Sequence, residues 1–326
     1  MKILYAASNN QNAKIQLTRF LEATQGSRHQ IKIAAYKKSS PANSNIDWTL
    51  DALLNIYKPD LISLNNDNLA IYLEQIKSFA PDLVISDLEY FTSAVANDLN
   101  ITVWQCSSSM INFALNRREK YNLGLFKNFA HTVRKDPIHT QRIVNIIDNS
   151  ARNLTYSHYS DTENPPSLES GFQWVRPYHK VFKSYAPCQH FITAGLSSND
   201  KHLLALLKKY PDCSVFMERC EEQHQDLLIK DIRIEHEYYC NLRNSSFFVC
   251  QGQTSFLADA FYNGKYSLVY PDYTDAEVIT NSQISQKLGL ASIMSYSADI
   301  TSCVSNEIQP VYSDTVKYLH EYLEEL

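Results

Sequence analysis

Asp87 and Glu89 close the segment Pro-Asp-Leu-Val-Ile-Ser-Asp-Leu-Glu. A carboxylate held within hydrogen-bond reach of a hydroxyl can take its proton. A second polar group lies in the stretch from Phe247 to Leu290: Gln251, Gly252, Gln253, Thr254 and Ser255, then Asp259, then Asp275 and Glu277. A turn with a glycine that leads into a helix N-terminus presents free backbone N–H groups and the positive end of the helix dipole, and both suit a phosphate or diphosphate. Asp259, just over one turn into that helix, has the reach to accept hydrogen bonds from ribose hydroxyls. Asp275 and Glu277 follow the next strand in a loop at the same carboxyl edge of the sheet, where ligands of α/β proteins sit. Phosphate, ribose and a polyhydroxyl group in that order describe a nucleotide sugar. The same residues also read as an ordinary strand–helix unit with capping side chains, Asp87 capping a helix and Glu89 solvated.

The elements that must position these groups follow from periodicity. Phe247 to Cys250 is a short apolar run, a buried parallel strand. Phe256, Leu257, Ala260 and Phe261 make one apolar helical stripe, with Ser255 and Asp259 four apart on the opposite face. Asn263-Gly264 ends that helix with Gly264 left-handed, Ser267 to Tyr270 is the next strand, and Ser282 to Leu288 is a helix ended by Gly289. The N-terminal part alternates in the same way. Strands are predicted at Ile3 to Ala7, Ile31 to Ala35, Leu61 to Leu64, Leu83 to Ser86, Ile101 to Trp104 and Leu154 to Tyr156. Helices are predicted from Ala13, over 47–57, 68–79 and 91–97, and over 138–147. A further strand–helix restart runs from Phe191 to Lys209, with strands at 213–216 and 232–234 and a last helix over 311–326.

The chain has 326 residues, enough for two α/β domains, with 44% hydrophobic and 20% charged residues. A net charge of -5 and a pI of 6.1 give no bulk attraction to nucleic acid or an anionic membrane. Arg117, Arg118, Lys120, Lys127, Arg134 and Lys135, interleaved with aromatic residues, read as a solvated helical face or as a contact for a phosphorylated or nucleic-acid acceptor. The 7 cysteines include no Cys-x-x-Cys pair, which fits reduced thiols in a cytoplasmic protein. Cys220/His224 and His236/Cys240 follow no familiar ligand spacing, so no metal is expected. The apolar run of the opening strand is too short for a signal peptide, and no apolar stretch approaches membrane-spanning length. The 21 tyrosines fill half-buried positions or contribute to an acceptor cleft.

The stretch from Phe247 to Leu290 resembles the donor-binding segment of the GT-B glycosyltransferases, particularly those akin to the UDP-glucuronosyl and peptidoglycan N-acetylglucosaminyl transferases. Asp259-Ala260-Phe261 stands for Glu-Ala-Leu, Gly264 for the helix-ending glycine, Leu268-Val269-Tyr270-Pro271 for the strand and its proline, and Asp275 for the acidic residue. Gln251 and Gln253 stand where glycines are usual, Tyr266 replaces a proline, and Ala276 replaces a Gln. Leu83 to Trp104 is similar to a family segment with Ser-Asp-x-Glu-Pro, with Tyr90 in place of the proline. The resemblance implies an α/β protein of two Rossmann-like domains facing a cleft, an acceptor domain over 1–180 and a nucleotide-sugar domain over 181–326, with the last helix crossing back. It implies that Gly195 and Ser197 approach the donor phosphates, and that the loop Asn9, Asn10, Gln11 and Asn12 faces the ligand. The family's histidine is missing from that loop, which leaves Asp87 or Glu89 as the base and His179 as a fallback. Transfer would invert the anomeric carbon without a metal or cofactor, using a nucleotide sugar, UDP-linked by the same analogy, as co-substrate. The acceptor stays open among lipid, glycan, protein, small molecule and modified nucleic-acid base. A nucleotide-sugar epimerase and a non-catalytic binding protein of the same fold are the alternatives.

Overall fold

The structure is a computed structural model that describes residues 1–8, 11–36, 60–64, 69–125, 134, 136–179, 191–197, 200–217, 228–231, 235–303 and 308–326. The first half builds a parallel sheet of seven strands: β1 (Lys2–Ala6), β2 (Gln30–Tyr36), β3 (Asp60–Leu64), β4 (Leu83–Ser86), β5 (Thr102–Ser107), β6 (Arg152–Tyr156) and β7 (Phe172–Val175), in the order β3-β2-β1-β4-β5-β6-β7. Its described helices are α1 (Gln11–Ala23), α2 (Leu69–Phe79), α3 (Tyr90–Asp98), α4 (Ile111–Ala114), α5 (Arg117–Asn122) and α6 (Pro137–Asp148). Along β1, Ile3 and Tyr5 face a layer with Leu17 and Phe20 of α1, while Leu4 and Ala6 face a layer with Tyr72 and Ile76 of α2. Successive strand residues point to opposite faces, so a sheet covered on both sides needs an unbroken apolar run, and β1 supplies one.

The second half repeats the plan with β8 (Ile192–Leu196), β9 (Cys213–Met217), β10 (Leu228–Asp231), β11 (Phe247–Cys250), β12 (Ser267–Val269) and β13 (Ala291–Ile293), in the order β10-β9-β8-β11-β12-β13 and all parallel. Its helices are α7 (Lys201–Leu207), α8 (Glu235–Asn244), α9 (Thr254–Tyr262) and α10 (Ala276–Lys287). In each sheet the order reverses beside the first strand, between β1 and β4 and between β8 and β11. A crevice forms there at the carboxyl ends of the strands. The register sets what meets in it. Ala6 lies opposite Ser86, so the residues after β1 adjoin those after β4. Gly195 lies opposite Cys250, so the residues after β8 adjoin those after β11.

Several boundaries differ from those predicted. The last helix, α11, is only Leu319–Glu324, and Leu319 and Leu323 enter the core of the first sheet beside Ile3, Tyr5 and Leu17. Residues 311–318 are not helical but irregular, with a turn at 314–315, and are bonded to the first half where Arg176 N–H donates to the Lys317 carbonyl at 3.0 Å. α10 begins six residues before the predicted Ser282, because Asp275 caps it. α8 was not expected at all. The third strand of the second sheet is at 228–231, and the predicted 232–234 lies outside the described residues, as does the predicted helix over 47–57.

Candidate functional site

At the first reversal point, Asp87 follows β4 and is buried, with 4% exposure. Ser8, from the turn after β1, donates its hydroxyl to Asp87 Oδ2 at 2.7 Å. Burial raises the Asp87 carboxyl above its ordinary value, and hydrogen bonds from Ser107 and Ser8 pull it part of the way back. Leu88, the next residue, has φ +52, a left-handed conformation that costs a branched side chain free energy and that turns the chain sharply out of the strand. The expectation that Asp87 caps a helix and Glu89 is solvated is corrected. Glu89 is the N-cap of α3, accepting from the N–H groups of Phe91 at 3.0 Å and Thr92 at 2.6 Å, and it is buried. Its two oxygens complete the helix end, whereas Asp87 lies at the carboxyl end of β4 with Ser8 and Ser107 as partners. Of the predicted loop, Asn9 and Asn10 lie outside the described residues, and Gln11 and Asn12 are the first residues of α1 rather than loop.

At the second reversal point, Gln251, Gly252 and Gln253 form the turn from β11 into α9. Gln251 Oε1 accepts from the Ser197 N–H at 2.9 Å and its hydroxyl at 3.1 Å, and Gln253 Nε2 donates to the same hydroxyl at 2.5 Å. The glutamines therefore tie the turn to the strand beside it, a role open to side chains but not to the glycines they replace. Gly252 has φ +93, and an added Cβ would sit 2.6 Å from Ser282 Oγ of α10. Gly195 is not in the loop: it is inside β8, and a Cβ there would meet Phe256 at 2.9 Å, so its lack of a side chain lets α9 pack on the sheet. Thr254 and Ser255 open α9 and are buried. Asp275 Oδ1 caps α10 through the N–H of Glu277 at 2.8 Å. Glu277 sits in the first turn of α10 rather than in a loop. It accepts from the Thr254 hydroxyl at 3.0 Å and, across the crevice, from the Ser109 hydroxyl. Burial pushes its carboxyl up to about 7.

The two halves meet along α9, all nine residues of which are buried. Asp259 does not face an open crevice. Both its oxygens accept from Arg19 of α1, at 3.0 Å each, and Tyr239 adds a third bond at 3.0 Å. Arg19 also donates to the Tyr178 carbonyl at 2.6 Å. One turn on, Tyr262 donates to Asp161 Oδ2 at 2.5 Å, and Asp161 is paired with Arg176 at 2.8 and 2.9 Å. His179 stacks on Tyr262, centroids 3.5 Å apart, and burial pushes it down to about 4, so it is a neutral packing residue near neutral pH. On α10, Thr280 donates to Asn112 at 2.6 Å, and Tyr159 donates to the Asn281 carbonyl at 2.8 Å. Among the described residues no group of His, Cys, Asp and Glu is arranged to hold a metal, and no helix is long and apolar enough to cross a membrane.

No protein-family model matches the chain, and no curated protein matches it in sequence. Solved structures do match in three dimensions. A glycosyltransferase of kitacinnamycin aligns with a TM-score of 0.57 at 12% identity, over 93% of this chain and 87% of its own. A spinosyn rhamnosyltransferase, solved also with thymidine diphosphate, aligns at 0.57 and 12%, over 87% and 84%. The calicheamicin glycosyltransferase aligns at 0.56 and 13%, over 90% and 85%. The chain has the GT-B fold. Its two reversal points are thus the facing strand edges of a GT-B pair of domains. Within that GT-B frame, Arg19 and Tyr239 are residues that sequence reasoning passed over. Arg19 had no visible signal, since a lone arginine on an amphipathic helix reads as solvated.

Proposed function

We propose that the chain transfers a glycosyl group from a nucleoside-diphosphate sugar to an acceptor hydroxyl, with inversion and without a metal. The reading is carried by Asp87, a buried carboxylate with a raised affinity for protons at the first reversal point of the GT-B fold, oriented by Ser8. In the proposed step the acceptor O–H gives its proton to Asp87 and its oxygen forms a bond to the anomeric carbon. The anomeric C–O bond to the diphosphate breaks, and its electron pair leaves with the diphosphate. The start of α9, with Gly252 allowing close approach of the backbone, receives the diphosphate through N–H groups and the helix dipole. Ser197, Gln251 and Gln253 shape that turn, and Asp275 and Glu277 at the start of α10 are the groups assigned to sugar hydroxyls. The thymidine diphosphate bound by the spinosyn rhamnosyltransferase supports a nucleoside diphosphate as the leaving group, with UDP and TDP as the first to test.

The test is calorimetry with UDP, TDP and their sugars, followed by turnover of Asp87→Asn. The expected result is binding of one donor class by both proteins and a loss of turnover of at least about a hundredfold in Asp87→Asn. Retained turnover would remove Asp87 as the base. A second reading, a non-catalytic protein of this fold, is favoured by one observation: the Asp259 carboxylate is held by Arg19. Hydrolysis or transfer from any donor excludes that reading. A new sugar stereoisomer formed from the donor alone would instead make the protein an epimerase.

A further inference from the structure

Contacts that cross from one domain to the other among the described residues include Arg19–Asp259, Tyr262–Asp161, Tyr159–Asn281, Thr280–Asn112, Ser109–Glu277 and the more exposed Lys287–Glu119. The first joins two full charges with bidentate geometry and with both partners buried, Arg19 at 7% and Asp259 at 1% exposure, whereas the Lys287–Glu119 ion pair is partly exposed. Tyr239 completes a ring by accepting from Arg19 at 2.5 Å and donating to Asp259 at 3.0 Å. Separating the domains would part a guanidinium, left with the Tyr178 carbonyl, from a carboxylate, left with the Tyr239 hydroxyl, so that each full charge would lose its opposite charge. Removing one member of a buried charge pair is far more costly than losing an exposed one.

We propose that Arg19 is a positioning residue whose buried, bidentate pair with Asp259 holds the two domains closed on each other. Closure is then a property of the chain and not a response to donor. The same helix is pinned a second time, one turn later, by Tyr262 on Asp161. Asp161 is itself held by Arg176 and by the Ser313 N–H at 2.8 Å. The consequence is that Asp87 on one side and the turn at Gln251 on the other keep a set separation before substrate arrives. The purpose of this closure, though not its geometry, rests on these two points being the reacting site.

The experiment uses the full chain without ligand, by small-angle scattering and by hydrogen exchange of the α9 amides, with UDP and TDP added in a second arm. The wild-type chain is expected to scatter as the closed form and to keep the same radius of gyration with either nucleotide. Arg19→Met is expected to expand and to exchange its α9 amides at least about a hundredfold faster, while amides of β1 and β8 stay protected. If Arg19→Met does not fold, Arg19→Lys, which keeps the charge and loses the two-pronged geometry, gives the same comparison with a smaller change. The proposal is overturned if the wild type scatters as an open molecule and compacts on adding nucleotide, or if the variant and wild type scatter alike. A chain that stays closed and binds no nucleotide defeats the proposed transferase function and leaves the role of Arg19 standing. One that binds nucleotide and opens does the reverse.

Discussion

Asp87 and Glu89 are two residues apart and meet opposite surroundings. Glu89 receives two helix N–H groups and completes a helix end, and Asp87 has been moved out of water into the company of the Ser107 and Ser8 side chains and the Ser8 backbone. Glu277 is a third case. It is buried between Thr254 and Ser109, and its carboxyl is raised from 4.5 to about 7. A carboxyl whose folded pKa lies above its unfolded value favours the folded state when protonated. That contribution is complete below about pH 4.5 and is lost as pH rises to about 7. Glu277→Gln should therefore flatten the change in stability across this window, a difference on the order of 3 kcal/mol. Urea melts of both proteins at pH 5 and pH 8 measure it. A variant that loses as much stability as the wild type between those two values would remove Glu277 as the source.

At the scale of the element, the turn into α9 is the piece whose sequence was most informative. Its glycine, its helix period and its closing Gly264, at φ +72, are local properties, and local properties are written in adjacent residues. Gly252→Ala tests the turn directly. The new methyl would stand 2.6 Å from Ser282 Oγ, which is itself tied to the Val278 carbonyl at 2.7 Å, at a residue whose φ is +93. The expected loss is about 1–3 kcal/mol in a thermal or urea melt, together with weaker nucleotide binding. Unchanged stability would mean the turn can move away from α10. The misplaced start of α10 has an equally local cause. Asp275 caps the Glu277 N–H, so the helix begins at Ala276, within the stretch that the sequence reading assigns to a loop.

At the scale of the molecule, the tail returns to the first domain. Leu319 and Leu323 are both fully buried among Ile3, Tyr5, Leu17 and Phe20, so residues at the two ends of the chain share one core. Leu323→Ala should cost about 2–5 kcal/mol. Because the loss falls in the first domain's core, calorimetry should show the transition that contains β1 shift to lower temperature. A loss confined to the second domain would contradict the packing described.

The alternation of strands and helices, the repeat of one parallel plan in two halves, and the polar turn that leads into α9 are legible in the residues alone. These depend on periods of two and of three to four residues and on single turn residues, all of which are local. What the polar residues touch follows from the packing of distant segments. Arg19 and Asp259 are 240 positions apart, and nothing in either neighbourhood announces the other. A carboxylate's role, as helix cap, proton acceptor or half of a buried ion pair, follows from the partners that reach it and the water that does not. Both are consequences of how the two domains close on each other.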